Sequence, residues 1–200
     1  MSWIKTVSPA ESAGRLREIY LRIAAPDGAV DNVLQVHSLR PHTLEAHLAL
    51  YKNVLHHHGN SLPFWFLETI GIYVSLLNRC AYCVAHHTAG LRRLLSEARA
   101  SAIQAALETE TLDQTFDARE QALLRYAKQI TQAPHELTES DIDELRSAGL
   151  DDGEILEANQ VASYFAYANR TVLGLGVTTA GDRLGLSPND SDDPENWQHA

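Results

Sequence analysis

Residues 78–90 read NRCAYCVAHHTAG and hold both cysteines of the 200-residue chain. Cys80 and Cys83 are three residues apart, and His87 follows Cys83 by four. On a helix those offsets put two thiols and an imidazole on one face. If the helix begins at Ala81, Cys80 lies at its N-terminal edge and Cys83 in its first turn. Unpaired backbone N–H groups and the positive end of the helix dipole favour thiolate over thiol there. The two sulfurs reach disulfide distance with modest adjustment. An imidazole one turn further on can take or return a thiol proton. The stretch therefore supplies a nucleophile, a resolving thiol and a base. Glu68 adds a carboxylate, the only acidic residue in the apolar stretch from Pro63 to Asn78. Buried without a partner it would cost on the order of several kcal/mol. Either it pairs with a group such as an imidazole, or it lies near enough to a helix start to reach solvent.

The elements that must position these groups read as helices throughout. Ser8-Pro9-Ala10-Glu11 combines an N-cap, a proline and a capping-box glutamate ahead of Leu16, Ile19, Tyr20 and Ile23 at helical spacing. A short helix is predicted over Val30 to Leu39, and Pro41 opens another that closes at Gly59. The segment PFWFLETIGIYVSLLN from Pro63 is apolar nearly all round, which marks a buried helix. Caps at Ser96, Asp117 with Glu120, Thr138 with Asp141 and Asp151 with Glu154 open four more. With short connections and no sequence repeat, the prediction is an all-α helical bundle in one domain, residues 1–186. An acidic tail without Lys or Arg follows over 187–200 and is expected to be mobile.

Net charge is −10, and Lys and Arg form no concentrated run. That argues against nucleic acid and against anionic membrane surfaces as partners. No stretch approaches the ~20 apolar residues needed to span a bilayer, and the first residues lack a signal-peptide core. The expected location is cytoplasmic, where a C-x-x-C is catalytic or metal-binding more often than a static staple.

The pattern E-x₁₁-C-x-Y-C-x₃-H over Glu68, Cys80, Tyr82, Cys83 and His87, preceded by a buried helix ending in Val-Ser-x-x-Asn, resembles the alkylhydroperoxidase D-like branch of the carboxymuconolactone decarboxylase superfamily. HSLRPHTLEAHLALYKNVL is similar to the helix that precedes the motif there. LTESDIDELRSAGLDDGEILEANQVASYFAYANRTVLGLGV is similar to the C-terminal helices of the peroxidase-related members, so the resemblance covers residues 30 to 180. It implies an all-helical fold assembled as trimers or hexamers, and thiol-dependent reduction of a small hydroperoxide. By that resemblance Cys83 attacks the peroxide and becomes a sulfenic acid. Cys80 donates a proton and then condenses to a Cys80–Cys83 disulfide, and Glu68 and His87 form the proton relay. Tyr82 stands where the hydroperoxidase carries a histidine of that relay, and can at best hydrogen-bond. The electron donor would be a thiol or dithiol, such as a lipoyl group or a thioredoxin-like protein. No cofactor or metal is implied.

Other readings stay in view. Cys80, Cys83 and His87, with His86 or the histidines at 56–58, offer zinc ligands, but the set is incomplete for a tetrahedral site. Non-peroxidatic disulfide exchange would use the same thiols, whereas the decarboxylase branch generally lacks the cysteine pair. His86 is expected to pack or meet solvent, and His56, His57 and His58 to suit a helix C-terminus. Phe64, Trp65 and Phe66 are expected to contribute to a subunit contact, since three aromatics in sequence cannot all face one core. Asn169-Arg170 is expected to be structural, and Arg92 and Arg93 to be solvated.

Overall fold

The computed structural model describes residues 2–185. Among them the chain forms nine α-helices, one 3₁₀ turn at Pro134–Glu136 and no strand, the all-α bundle that the sequence predicts. The helices are α1 (Gly14–Ile23), α2 (Asn32–Gln35), α3 (Pro41–Leu55), α4 (Phe64–Leu77), α5 (Ala81–Leu94), α6 (Glu97–Thr109), α7 (Ala118–Gln132), α8 (Glu139–Ser147) and α9 (Asp152–Gly174). The tail over 187–200 lies outside the described residues. Among the described residues, no helix is long and apolar enough to cross a membrane.

Helix starts follow local chemistry. Capping boxes form at Asp117/Glu120, Thr138/Asp141 and Asp151/Glu154, each satisfying two otherwise unpaired N–H groups. Three elements differ from the sequence expectation, among them α3, which ends at Leu55 rather than at Gly59. The Ser8/Glu11 contacts form, with Ser8 Oγ donating to Glu11 at 2.7 Å, but they close a single turn. The chain then extends at Ala13 (φ −141°, ψ 163°), and α1 starts only at Gly14, whose φ of +53° suits glycine. Likewise α2 stops at Gln35. Beyond it, His37, Ser38 and Arg40 donate to carbonyls three residues back, and Pro41 pushes Arg40 out of the helical region.

The bundle is organised around α4. Every residue from Phe66 to Ser75 is buried, on all sides of that helix. It packs against α5, α7 and α9, and also touches α3 and α6. Each fully buried Leu, Ile or Phe on it contributes roughly 1.5–3 kcal/mol. The approach to α9 is close: a Cβ built on Gly71 would lie 2.2 Å from the Phe165 ring. The aromatic trio at the start of α4 diverges. Phe66 is buried in the core, while Phe64 meets the rings of His56 and His58. Trp65 is half-buried under the Arg99 guanidinium.

Candidate active site

The turn that leaves α4 fixes where the thiols stand. Asn78 ends the helix, Arg79 adopts a left-handed φ of 56°, and two bonds run back onto the last turn. Arg79 N donates to Leu76 O at 3.0 Å and Cys80 N to Ser75 O at 2.8 Å, the double closure of a Schellman motif. Glycine usually takes the left-handed position. An arginine there costs about 1–2 kcal/mol, which the turn withstands because α5 restarts at once. Cys80 becomes the N-cap of α5 and Cys83 lies in its first turn. Both are free thiols and both are buried.

Their environments differ. The Cys83 thiol donates to the Cys80 sulfur, and this bond lowers the Cys80 pKa from 9.0 to about 7 against the opposing effect of burial. The N–H groups of Cys83 and Tyr82 and the charge of His87 add to the effect, although no capping hydrogen bond closes on the sulfur. The same bond, with burial and the Cys80 charge, pushes Cys83 well above the usual thiol range, while Asn169 and Ser75 draw it back. The resting negative charge therefore belongs to Cys80, and Cys83 holds the shared proton. Asn169 is itself fixed by donating to Ser75 Oγ at 3.1 Å and accepting from Asn78 Nδ2 at 2.9 Å.

Glu68 is completely buried, near the middle of α4, and its partners are imidazoles. His87 Nδ1 donates to Glu68 Oε2 at 2.7 Å, leaving Nε2 as the nitrogen that can exchange a proton with the site. His56 Nε2 lies 3.5 Å from Glu68 Oε1 and 3.0 Å from the Tyr51 hydroxyl. The His87 ring is braced edge-on by Phe165, with centroids 4.6 Å apart.

A small pocket, with a cavity volume of about 40 Å³, opens in front of Cys83. Leu34, Tyr51, Tyr164 and Ala168 form its apolar and aromatic side, and Asp31, His86 and His87 its polar side. Gly185 brings the end of the described chain to its rim. Tyr82 donates to Asp182 Oδ2 at 2.6 Å and accepts from Val33 N at 3.1 Å, so it tethers the C-terminal segment to α5. Burial first, then the Asp182 charge, pushes the Tyr82 phenol far above its ordinary range, which removes it from acid–base work. Among the described residues, no group of three or more His, Cys, Asp or Glu side chains could hold a metal ion.

No known family model matches the chain, and no curated protein matches it. Solved structures do. An uncharacterized peroxidase-related protein from Silicibacter sp. TM1040 is 28% identical over 76% of this chain and 77% of its own, with a TM-score of 0.68. An alkylhydroperoxidase AhpD core, an uncharacterized peroxidase-related protein from Ralstonia eutropha JMP134, is 25% identical over 94% and 93%, with a TM-score of 0.76. The chain is similar to these peroxidase-related proteins in sequence and shares the alkylhydroperoxidase D-like fold. The debrominase Bmp8 shares the fold at 19% identity over 88% of this chain and 90% of its own, with a TM-score of 0.67.

Within this alkylhydroperoxidase D-like fold, the four residues singled out in the sequence come together: Glu68 against His87, His87 near Cys80, and Cys80 against Cys83. Tyr82 sits one step out, bonded to Asp182. Other expectations change. Glu68 does not reach solvent, because the bundle closes over α4 on every side. His86 is neither core packing nor solvated, but lines the pocket between two carboxylates. His56 does not merely sit at the end of α3: it turns back to Glu68. Asn169 bonds Ser75 and Asn78 and also reaches the Cys83 sulfur. Tyr51, Asp31, Tyr164 and Asp182 carried no signal in the sequence. For His56 the signal was the buried carboxylate itself, which needs more than one donor.

Proposed function

We propose that this protein is a thiol-dependent peroxidase that reduces a small organic hydroperoxide through Cys80 and Cys83. The observation that carries the reading is the proton shared by two buried thiols beside a carboxylate-held imidazole, with Cys83 lining the pocket. At rest Cys80 is the thiolate and Cys83 the thiol. When peroxide enters, the Cys83 proton passes to Cys80 and the Cys83 sulfur attacks the terminal peroxide oxygen. An S–O bond forms and the O–O bond breaks. Sulfur is oxidised to the sulfenic acid, and the peroxide leaves as an alkoxide that needs one proton. Cys80 then attacks Cys83, the S–S bond forms and water departs. A thiol or dithiol donor, such as a lipoyl group or a thioredoxin-like protein, returns the pair to the reduced state. The Glu68–His87 pair holds and moves the proton that sets which sulfur is charged.

A likeness in fold to peroxidase-related proteins supports the reading, as does the chemistry of the pocket. Its aromatic and aliphatic side suits an uncharged organic group. Homo-oligomeric assembly and a cytoplasmic location belong to the same proposal. The test is steady-state consumption of cumene hydroperoxide with dihydrolipoamide on metal-free protein. Cys83→Ser is expected to abolish turnover, and Cys80→Ser to leave a sulfenic acid on Cys83 that dimedone traps. Undiminished turnover by Cys83→Ser would remove the assigned role.

A further inference from the structure

We infer that His86, held in place by Asp182, is the acid that protonates the leaving oxygen of the peroxide. The inference rests on the peroxidase reading and assigns a step that the Glu68–His87 pair leaves open.

His86 and His87 follow Cys83 by three and four residues, so they rise on either side of its sulfur one helical turn away, and all three line the same pocket. Their partners divide the work. His87 is bound to buried Glu68 on the side of Cys80, where its charge favours the resting thiolate. His86 faces the opposite wall. Its Nε2 lies 3.3 Å from Asp182 Oδ2 and its Nδ1 lies 3.9 Å from Asp31 Oδ2. Each nitrogen faces a carboxylate oxygen, Nε2 at ion-pair distance and Nδ1 beyond hydrogen-bond reach.

The ring is also fixed in place. It stacks on Tyr82, with centroids 4.4 Å apart and planes 26° apart. Tyr82 in turn donates to the same Asp182 oxygen that faces His86. Asp182 is anchored from a third side by Asn32 N, at 3.1 and 3.2 Å. A side chain gripped by stacking and a carboxylate has one productive orientation, as a general acid requires. The gap of 3.9 Å toward Asp31 is too long for a hydrogen bond and lies on the pocket side.

Proton balance calls for such a group. The resting pair carries one proton between two sulfurs, and that proton moves to Cys80 during attack. The Cys83 thiolate and ROOH then give Cys83–SOH and RO⁻. His86 donates its proton to RO⁻ as the O–O bond breaks, giving ROH and neutral imidazole, which solvent reprotonates. Cys80–SH and Cys83–SOH complete the cycle as disulfide and water. Asp182 acts as a positioning residue, since it touches His86 and not the substrate.

The test compares two oxidants in single-turnover oxidation of the reduced protein. With tert-butyl hydroperoxide the leaving group is an alkoxide that needs a proton; with peracetic acid it is acetate, which does not. His86→Gln should slow the first reaction by about a hundredfold or more while leaving the second within about threefold. Asp182→Asn should show the same selectivity in weaker form. The peracid rate doubles as the control for folding and thiol integrity. His87→Gln, which acts on the sulfurs, should slow both oxidants alike. Equal loss on both oxidants in His86→Gln, or loss on neither, overturns the assignment while the peroxidase reading stands. Failure of the unmodified protein to form sulfenic acid or disulfide with either oxidant overturns both.

Discussion

Replacing Cys83 with alanine removes the proton donor on which the charge of Cys80 mainly depends. The Cys83 thiol is the largest influence holding Cys80 near 7 rather than 9.0. That difference is worth about 3 kcal/mol, at roughly 1.4 kcal/mol per tenfold change in ionisation. It falls in the range for a hydrogen bond to a charged acceptor, about 1.5–3 kcal/mol. At pH 7 the intact pair has about half of Cys80 as thiolate, whereas an ordinary thiol with a value of 9.0 would have about 1%. Without the Cys83 thiol, the N–H groups of the first turn of α5 and the charge of His87 still favour the thiolate, and burial still opposes it. The midpoint is therefore expected to rise by at least about one unit, and the thiolate present at pH 7 to fall at least about fivefold. Because Cys80 has no exposed surface, alkylation would report access as much as charge. The better assay follows the ultraviolet absorbance of the thiolate across a pH series. The linked stability effect has a definite sign. A depressed folded-state value stabilises the fold above the unfolded thiol's range, and that contribution fades as pH falls through about 7. A first thiolate step near 9 in the unmodified protein, or an unmoved midpoint in Cys83→Ala, would show that the two sulfurs do not share a proton.

Glu68→Gln keeps an oxygen that can accept from His87 Nδ1, so stability should change by no more than about 1–2 kcal/mol. The buried charge is lost, and oxidation by alkyl hydroperoxide should slow by about a hundredfold in single turnover; an unchanged rate would take Glu68 out of the relay. Gly71→Ala tests the framework rather than the chemistry. Its Cβ would lie 2.2 Å from the Phe165 ring, and overpacking of this kind costs about 1–3 kcal/mol, read from the urea midpoint. Because Phe165 braces His87, peroxidase rates should fall with it, and an unmoved midpoint would mean that α4 and α9 are not packed this closely.

The helices were legible because their determinants are local. The capping pairs at Asp117/Glu120, Thr138/Asp141 and Asp151/Glu154 each act within four residues, and each opens a helix where it stands. The same locality misled at Ser8/Glu11, where the contacts form but the backbone beyond them extends at Ala13. A capping box can close a turn; only the residues after it decide whether a helix follows. At the site, the thiols and His87 were readable from their offsets on one helix, and Glu68 from its isolation among apolar residues. Which sulfur bears the charge was not readable. The helix N-terminus favours thiolate at both positions, and the choice comes from the direction of one S–H bond and from Asn169, far along α9. Asp182 was equally silent, since it meets Tyr82 a hundred residues away through a segment with no periodic pattern. The opposite fates of the adjacent histidines follow from such distant partners. His86 and His87 are identical as letters, but one meets a carboxylate from the middle of α4 and the other a carboxylate from the end of the described chain. Spacing on α5 fixes which side of Cys83 each imidazole occupies; helices packed from elsewhere in the chain fix what each can do there.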